Sequence, residues 1–179
     1  MENAHGILIR RTLLSDTSLI VHWLTREHGI VRTAAKGARR PGSPFTGKLD
    51  LFYSADFSFV RSRRSDLHTL RELAVSHYRA GIQSSYPRVL CAAYFAALID
   101  CVAEQDAPVE ALHDLLRRGL DWLDANDPTL RAVLFYEREV ASELGIHGEP
   151  GVTPAGAILA TFQRLPDSRA ALLRRLGGT

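Results

Sequence analysis

The chain has 179 residues and a mass of 19.8 kDa, room for one domain or two small ones and too little for a large multidomain enzyme. With 46% hydrophobic and 23% charged residues it buries a core, which excludes global disorder. The net charge of +2 hides an asymmetry: residues 1–80 hold 13 basic and 7 acidic groups, a balance of +6, whereas residues 81–179 hold 9 and 13, a balance of −4. A basic front and an acidic back suit two surfaces with different partners.

The first six residues, Met1 to Gly6, are polar, and no apolar run approaches the ~20 residues that span a bilayer. The expectation is a soluble, cytoplasmic protein without a membrane partner. Cys91 and Cys101 lie in an apolar stretch with no histidine at metal spacing, so free thiols in a reducing compartment are expected, and neither a disulfide nor a metal site.

From Gly6 to about Arg79 the hydrophobic period is near two. Five strands are predicted, at roughly 6–14, 17–25, 29–36, 48–61 and 67–78, with β-branched and aromatic residues frequent and turn chemistry at the breaks. Along the first strand Ile7, Ile9 and Leu13 form one set; along the fourth, Leu51, Tyr53, Ala55, Phe57 and Phe59 form another, with Tyr53, Phe57 and Phe59 expected in the core. Trp23 is also expected there. Ser15-Asp16 forms a tight turn between the first two strands, Arg26 to Gly29 joins the second to the third, and Arg61 to Asp66 joins the fourth to the fifth. A meander follows. Five short strands with one bare face are stabilised by closure into a small barrel of OB or SH3-like type.

After Tyr86-Pro87 the period becomes helical. Helices are predicted at about 88–104, from Pro108 as a first-turn proline to Leu123, and from an Asn126-Asp127-Pro128 break with an N-cap to Leu144, where Gly145 stops it. His147 to Gly151 is a loop, Thr153 caps a short helix to about Arg164, and Asp167 or Ser168 starts a last one ending at Gly177. The fold class is α+β: a five-stranded barrel domain over 1–80 followed by an all-α domain over 81–179.

No phosphate-binding, dinucleotide, metalloprotease or serine-hydrolase spacing is present, and the seven histidines are scattered. The chain is expected not to be an enzyme and to need no cofactor. The most informative stretch runs from Val31 to Ser43. A strand delivers Arg32 and Lys36 outward, and glycines free the backbone while Arg39 and Arg40 extend from a flexible loop. Mobile cations of this kind follow successive phosphates and release counterions, so a polyanion is the matching ligand. Arg61, Arg63 and Arg64 add a second basic turn to the same barrel. Phe45, beside Pro44 in the long loop, is the candidate for stacking a base, because a loop phenylalanine is less obliged to fill a core.

Five ordered segments carry a family likeness: Gly6-Ile7-Leu8-Ile9-Arg10, Asp16-Thr17-Ser18-Leu19-Ile20-Val21, Leu24-Thr25-Arg26-Glu27-His28-Gly29, Ala35-Lys36-Gly37-Ala38-Arg39-Arg40 and Gly47-Lys48-Leu49-Asp50-Leu51-Phe52. Together they resemble the front domain of the bacterial recombination mediators of the RecO family. The helices from about 88 to 145, with Ala92-Ala93-Tyr94 and Phe135-Tyr136-Glu137, look like that family's helical domain. The resemblance implies an OB-fold barrel joined to helices and a nucleoid-associated protein. Such a protein binds single- and double-stranded DNA, promotes strand annealing, and works with RecR and the single-stranded-DNA-binding protein to load the RecA recombinase. It also implies DNA contacts at Arg32, Lys36, Arg39 and Arg40, extended by Arg10, Arg11, Lys48, Arg61, Arg63 and Arg64. Many family members carry a four-cysteine zinc module after the third helix; the two cysteines here supply none, so a compact or shortened form lacking it is expected.

The competing reading is a non-catalytic adaptor whose acidic helical domain binds repair partners without direct DNA binding. The acidic C-terminal tail of the single-stranded-DNA-binding protein seeks an apolar groove rimmed by arginine, and Arg117, Arg118 and Arg131 are the candidates.

Overall fold

The computed structural model describes residues 1–103, 108–146, 148 and 150–177. Five strands, β1 (Glu2–Leu13), β2 (Leu19–Thr25), β3 (Gly29–Ala35), β4 (Ser54–Val60) and β5 (Leu67–His77), close into a barrel in the order β1-β2-β3-β5-β4. This is an OB-fold barrel. The expected meander describes β1-β2-β3 and the β4-β5 hairpin only. Closure comes from a parallel pairing of β3 with β5 (Arg32 opposite Leu67) and an antiparallel pairing of β1 with β4. Residues 36–53 therefore have to cross one end of the barrel, and they do so as turns rather than as the expected early start of the fourth strand.

The barrel interior is filled by Leu8, Val21, Trp23, Val31, Ala55, Phe57, Phe59, Leu70 and Leu73. Trp23, 0% exposed, stacks on Phe57 at 4.5 Å, and its indole N–H donates to the Thr33 hydroxyl at 2.9 Å, as a buried tryptophan requires. Gly6 lies where β1 meets its neighbours most closely: a Cβ there would sit 3.1 Å from the Leu24 carbonyl and 3.2 Å from the Phe57 ring.

The register of β1 against β2 shifts between Leu8, opposite Trp23, and Arg10, opposite His22. Ile9 is the extra residue of a β-bulge. Strict alternation would carry Arg10 to the inside with Leu8; the bulge turns it outward. For the same reason the set Ile7, Ile9 and Leu13 does not line the barrel cavity, and Leu8 does.

Among the described residues six helices follow: α1 (Ala80–Gln83), α2 (Tyr86–Val102), α3 (Glu110–Ala125), α4 (Leu130–Glu143), α5 (Pro154–Phe162) and α6 (Ser168–Arg175). The chain divides into two compact units, Met1–Tyr78 with the described part of 104–113, and Arg79–Ala103 with Asp114–Thr179. Within the first, the Val109 amide donates to the Arg26 carbonyl at 3.0 Å, and the Arg26 guanidinium reaches Glu110 at 3.7 Å and His113 at 3.4 Å. In the second, α2 is buried nearly all round, through Cys91, Tyr94, Phe95, Leu98, Ile99 and Val102, as suits a central helix. Its Phe95 ring stacks on Tyr136 of α4 at 3.8 Å.

The helix starts show which caps operate. Thr129, not the Asn126-Asp127 pair, caps α4 by accepting from the Ala132 amide at 3.1 Å. Thr153 caps α5 through the Gly156 amide. Pro108 precedes α3 rather than opening it. Gly145, at φ 65°, ends α4 as expected. Ala103, extended at ψ 136°, ends α2 at Val102, short of the predicted 104; residue 104, and His147 and Glu149 of the predicted loop, lie outside the described residues.

Candidate nucleic-acid interface

At the end of the barrel where β3 stops, Gly37 turns the chain at φ 67° and its amide donates to the Ser18 hydroxyl at 3.1 Å. The Arg39 amide donates to the Thr17 carbonyl at 3.0 Å and its guanidinium to the Asp16 carbonyl at 3.1 Å. Beyond it, Arg40, Ser43, Thr46 and Lys48 each donate a backbone hydrogen bond three residues back, at 3.0–3.1 Å. The segment expected to be a slack tip is a string of turns fastened to the β1-β2 connection.

Phe45 anchors that string. It is 6% exposed and belongs to the barrel core with Leu49, because the open end of a small barrel needs apolar side chains to plug it. Although Phe45 borders the groove, its ring is committed to the core, which corrects the reading of Phe45 as a loop side chain free to stack a base. Tyr53 errs the opposite way. Expected in the core, it is half-buried and faces a groove of about 550 Å³ that Arg11, Arg39 and Arg40 also line. The local backbone explains this. Phe52 donates to the Leu8 carbonyl at 2.8 Å, while Leu8 donates to the Tyr53 carbonyl at 2.9 Å. Two residues thus oppose one, a bulge whose first residue, Phe52, sits at φ 71°. A non-glycine residue there costs about 1–3 kcal/mol. Phe52 is driven inward and Tyr53 outward. No glycine or proline marks the spot, so no sequence signal reveals it.

The cations divide by what already holds them. Arg11 bonds the Leu49 carbonyl at 2.6 Å and pairs with Asp50 at 3.2 Å. Arg32 pairs with Asp66, Arg61 with Glu2 at 2.9 Å, and Arg10 contacts the His22 ring at 3.1 Å. The Arg61 guanidinium holds the Glu2 carboxyl below its ordinary value. Lys36, Arg40, Lys48, Arg63 and Arg64 have no side-chain partner among the described residues.

Only some of these groups come together. Arg11, Arg39 and Arg40 share the groove. Arg10, His22 and Arg32 lie opposite one another in a row across the outside of β1, β2 and β3. Arg61, Arg63 and Arg64 stand apart. Because β5 runs parallel to β3 and begins beside Arg32, the hairpin before it points toward the end where β3 starts, as does Glu2, the partner of Arg61. The two basic loops therefore mark opposite directions along the barrel.

In the helical unit a second groove, about 240 Å³, is lined by Phe95, Leu115, Arg118, Gly119, Trp122, Phe135 and their neighbours. Trp122 is 41% and Phe135 50% exposed. Of the three arginines predicted here, Arg118 lines the groove and is held by Asp114 at 3.0 Å. Arg117 is turned to Asp114 at 2.7 Å and Asp121 at 3.0 Å, pairing that raises its own pKa and lowers that of Asp114. Arg131 is exposed on α4, with no side-chain partner among the described residues. The exposed aromatics Trp122 and Phe135 were missed at the sequence level, where each fits a helical repeat. Among the described residues no three potential metal ligands stand together, and no helix is long and apolar enough to cross a membrane.

A closed five-stranded barrel in this strand order places the front unit in the class of OB-fold proteins. Two profiles of one family match the chain in succession, Recombination protein O N terminal over residues 1–79 and Recombination protein O C terminal over residues 83–147. The chain belongs to the recombination protein O (RecO) family. It is similar to the DNA repair protein RecO of Rhodopirellula baltica, at 29% identity over 140 residues, 78% of this chain and 52% of the relative. The DNA repair protein RecO of Syntrophus aciditrophicus is 30% identical over 132 residues, 74% and 51% of the two chains. That of Exiguobacterium sibiricum is 29% identical over 164 residues, 90% and 65%. The chain thus spans about half the length of two of these relatives and less than two thirds of the third.

Proposed function

We propose that this protein acts in recombinational DNA repair by binding DNA through the barrel and promoting the annealing of complementary strands. The observation that carries the reading is the groove at the barrel end, where Arg11, Arg39 and Arg40 converge and the Arg40 guanidinium has no partner among the described residues. Lys36 and Lys48 extend it along the same connection, and Arg10 and Arg32 offer a second track across the sheet. Annealing requires charge neutralisation and strand concentration and no catalytic group. The names of the relatives, DNA repair protein RecO, agree.

Residues 1–80 are then the DNA-binding part and 81–179 the part that meets partners at the nucleoid. The groove between Trp122 and Phe135, with Arg118 at its rim, fits the acidic C-terminal tail of the single-stranded-DNA-binding protein. With that protein and RecR, the chain delivers single strands for RecA loading. The groove also favours the adaptor reading, in which the helical part alone does the work.

Oligonucleotide binding across a salt series separates the two. Log affinity is expected to fall linearly with log salt. Replacing Arg39 and Arg40 together with alanine is expected to weaken binding to all sequences alike and to flatten the slope by about 0.7 for each phosphate no longer neutralised. A protein that binds the acidic tail peptide but no oligonucleotide at low salt is an adaptor.

A further inference from the structure

Tyr53 and the backbone that aims it have no role in a purely electrostatic account of the groove. Its ring is half-buried beside Arg11, Arg39 and Arg40, and it meets Tyr78 edge-on at 5.0 Å. Tyr78 is itself 51% exposed. The ring reaches that position only because Phe52 adopts a left-handed conformation that non-glycine residues avoid. Strained bulges of this kind recur where a side chain is re-aimed toward a ligand. The bulge buries Phe52, and in the same step it turns outward Tyr53, which an unbulged strand would bury with Ala55 and Phe57.

We infer that Tyr53 is a stacking platform for one unpaired nucleobase, with the neighbouring phosphates held by Arg39 and Arg40, so that the groove selects single-stranded over double-stranded nucleic acid. This rests on the nucleic-acid reading of the groove and adds to it a residue and a preference. The chemistry is specific in one respect: an aromatic face accepts any base but only one freed from its partner, because the faces of paired bases are covered within the duplex stack. The arginines contribute to single strands and duplexes alike. The edge contact with Tyr78 fixes the ring so that stacking costs little ordering.

The test compares the full chain with its Tyr53→Ala and Tyr53→Phe variants, using a single-stranded oligonucleotide and the corresponding duplex in one buffer. Tyr53→Ala is expected to lose about tenfold in single-strand affinity, with duplex affinity changed less than twofold and the salt slope unaltered. Tyr53→Phe is expected to bind as the parent does. Irradiation of the parent protein with an oligonucleotide carrying 5-iodouracil is expected to join the base to the peptide containing Tyr53, a readout that needs no variant to fold. Equal losses for single strand and duplex, unchanged single-strand binding by Tyr53→Ala, or crosslinks that map elsewhere each overturn the inference while leaving the DNA-binding reading intact. Failure of the parent to bind either nucleic acid at low salt overturns both.

Discussion

The hydroxyl of Tyr94 on α2 donates a 2.6 Å hydrogen bond to the carboxylate of Glu137 on α4, which is 1% exposed. Arg169 of α6 closes on the same carboxylate with two bonds, 2.7 and 3.0 Å. One buried charge thereby ties three helices. Leu172, one turn further along α6, is buried too, so the short helix is held by both a salt bridge and an apolar contact. Glu137→Gln is expected to cost about 2–4 kcal/mol in urea unfolding, near the low end for a broken buried pair because Arg169 stays partly solvated. Tyr94→Phe should cost about 1–2 kcal/mol. Tyr136 is the contrast: its hydroxyl is buried with no partner among the described residues, so Tyr136→Phe should be neutral or stabilising. A destabilisation by Tyr136→Phe as large as that of Tyr94→Phe would contradict this account.

Gly81 is intolerant of any side chain. Its amide donates to the Asp124 carboxylate at 2.7 Å, shared with the Ile82 amide at 3.2 Å, and a Cβ would fall 1.9 Å from the Asp124 carbonyl oxygen. Backbone has to move for alanine to enter. Gly81→Ala is expected to lower stability by more than about 3 kcal/mol, whereas Gly42→Ala, with open space around it, should cost about 1 kcal/mol from its positive φ alone. Thermal melts of the two variants compare them directly.

Asp114 competes for the groove arginine. It holds Arg118 at 3.0 Å and Arg117 at 2.7 Å, and those bonds depress its pKa. Its contribution is thus present above the ordinary carboxylate value of 3.8 and lost as pH falls through the lowered one. Asp114→Asn should free Arg118 and tighten binding of an acidic peptide about two- to threefold, and Arg118→Glu should abolish it. Trp122 reports the event: of the two tryptophans, Trp23 is sealed in the barrel, leaving Trp122 to respond to a ligand.

Burial pushes the Cys91 thiol up to about 12, and the side chain has no exposed surface. At pH 8 only about one in ten thousand such thiols is ionised. Mass spectrometry after iodoacetamide treatment should find Cys91 unmodified in the folded protein and modified in urea. Since the folded pKa lies above the ordinary 9.0, the stability this thiol contributes is complete below about pH 9 and is lost as pH rises toward 12.

The separation of the two basic loops has its own consequence. Arg63→Ala with Arg64→Ala removes two cations with no partner among the described residues from the β4-β5 hairpin. The pair is expected to weaken binding of long oligonucleotides while sparing ones short enough to occupy the groove alone. Arg39→Ala with Arg40→Ala should weaken both. A length series of oligonucleotides reads the difference.

Much of the fold was legible along the chain. Alternation with β-branched and aromatic residues located five strands, the change of period located the major helices, and Thr153 and Gly145 marked helix ends through chemistry local to a few residues. Trp23 and Phe57 lie in the core, as their strand positions imply. The charge split and the run from Arg32 to Arg40 drew attention to the stretch that forms the groove. These properties depend on neighbours one to four residues away, which is the range over which a sequence speaks for itself.

The tertiary structure decided what depends on register and closure. The bulge at Ile9 turned Arg10 outward, that at Phe52 exposed Tyr53, and plugging the barrel end drew Phe45 inward. The two bulges break the alternation, which reports a face only while pairing advances one residue against one, and Phe45 lies in a connection that has no period to read. Parallel pairing of β3 with β5 likewise set the two arginine clusters apart, though both lie in the same 80 residues. Which cations are neutralised by Glu2, Asp50, Asp66 or Asp114 is a matter of distances in space, and local sequence carries no record of those pairings.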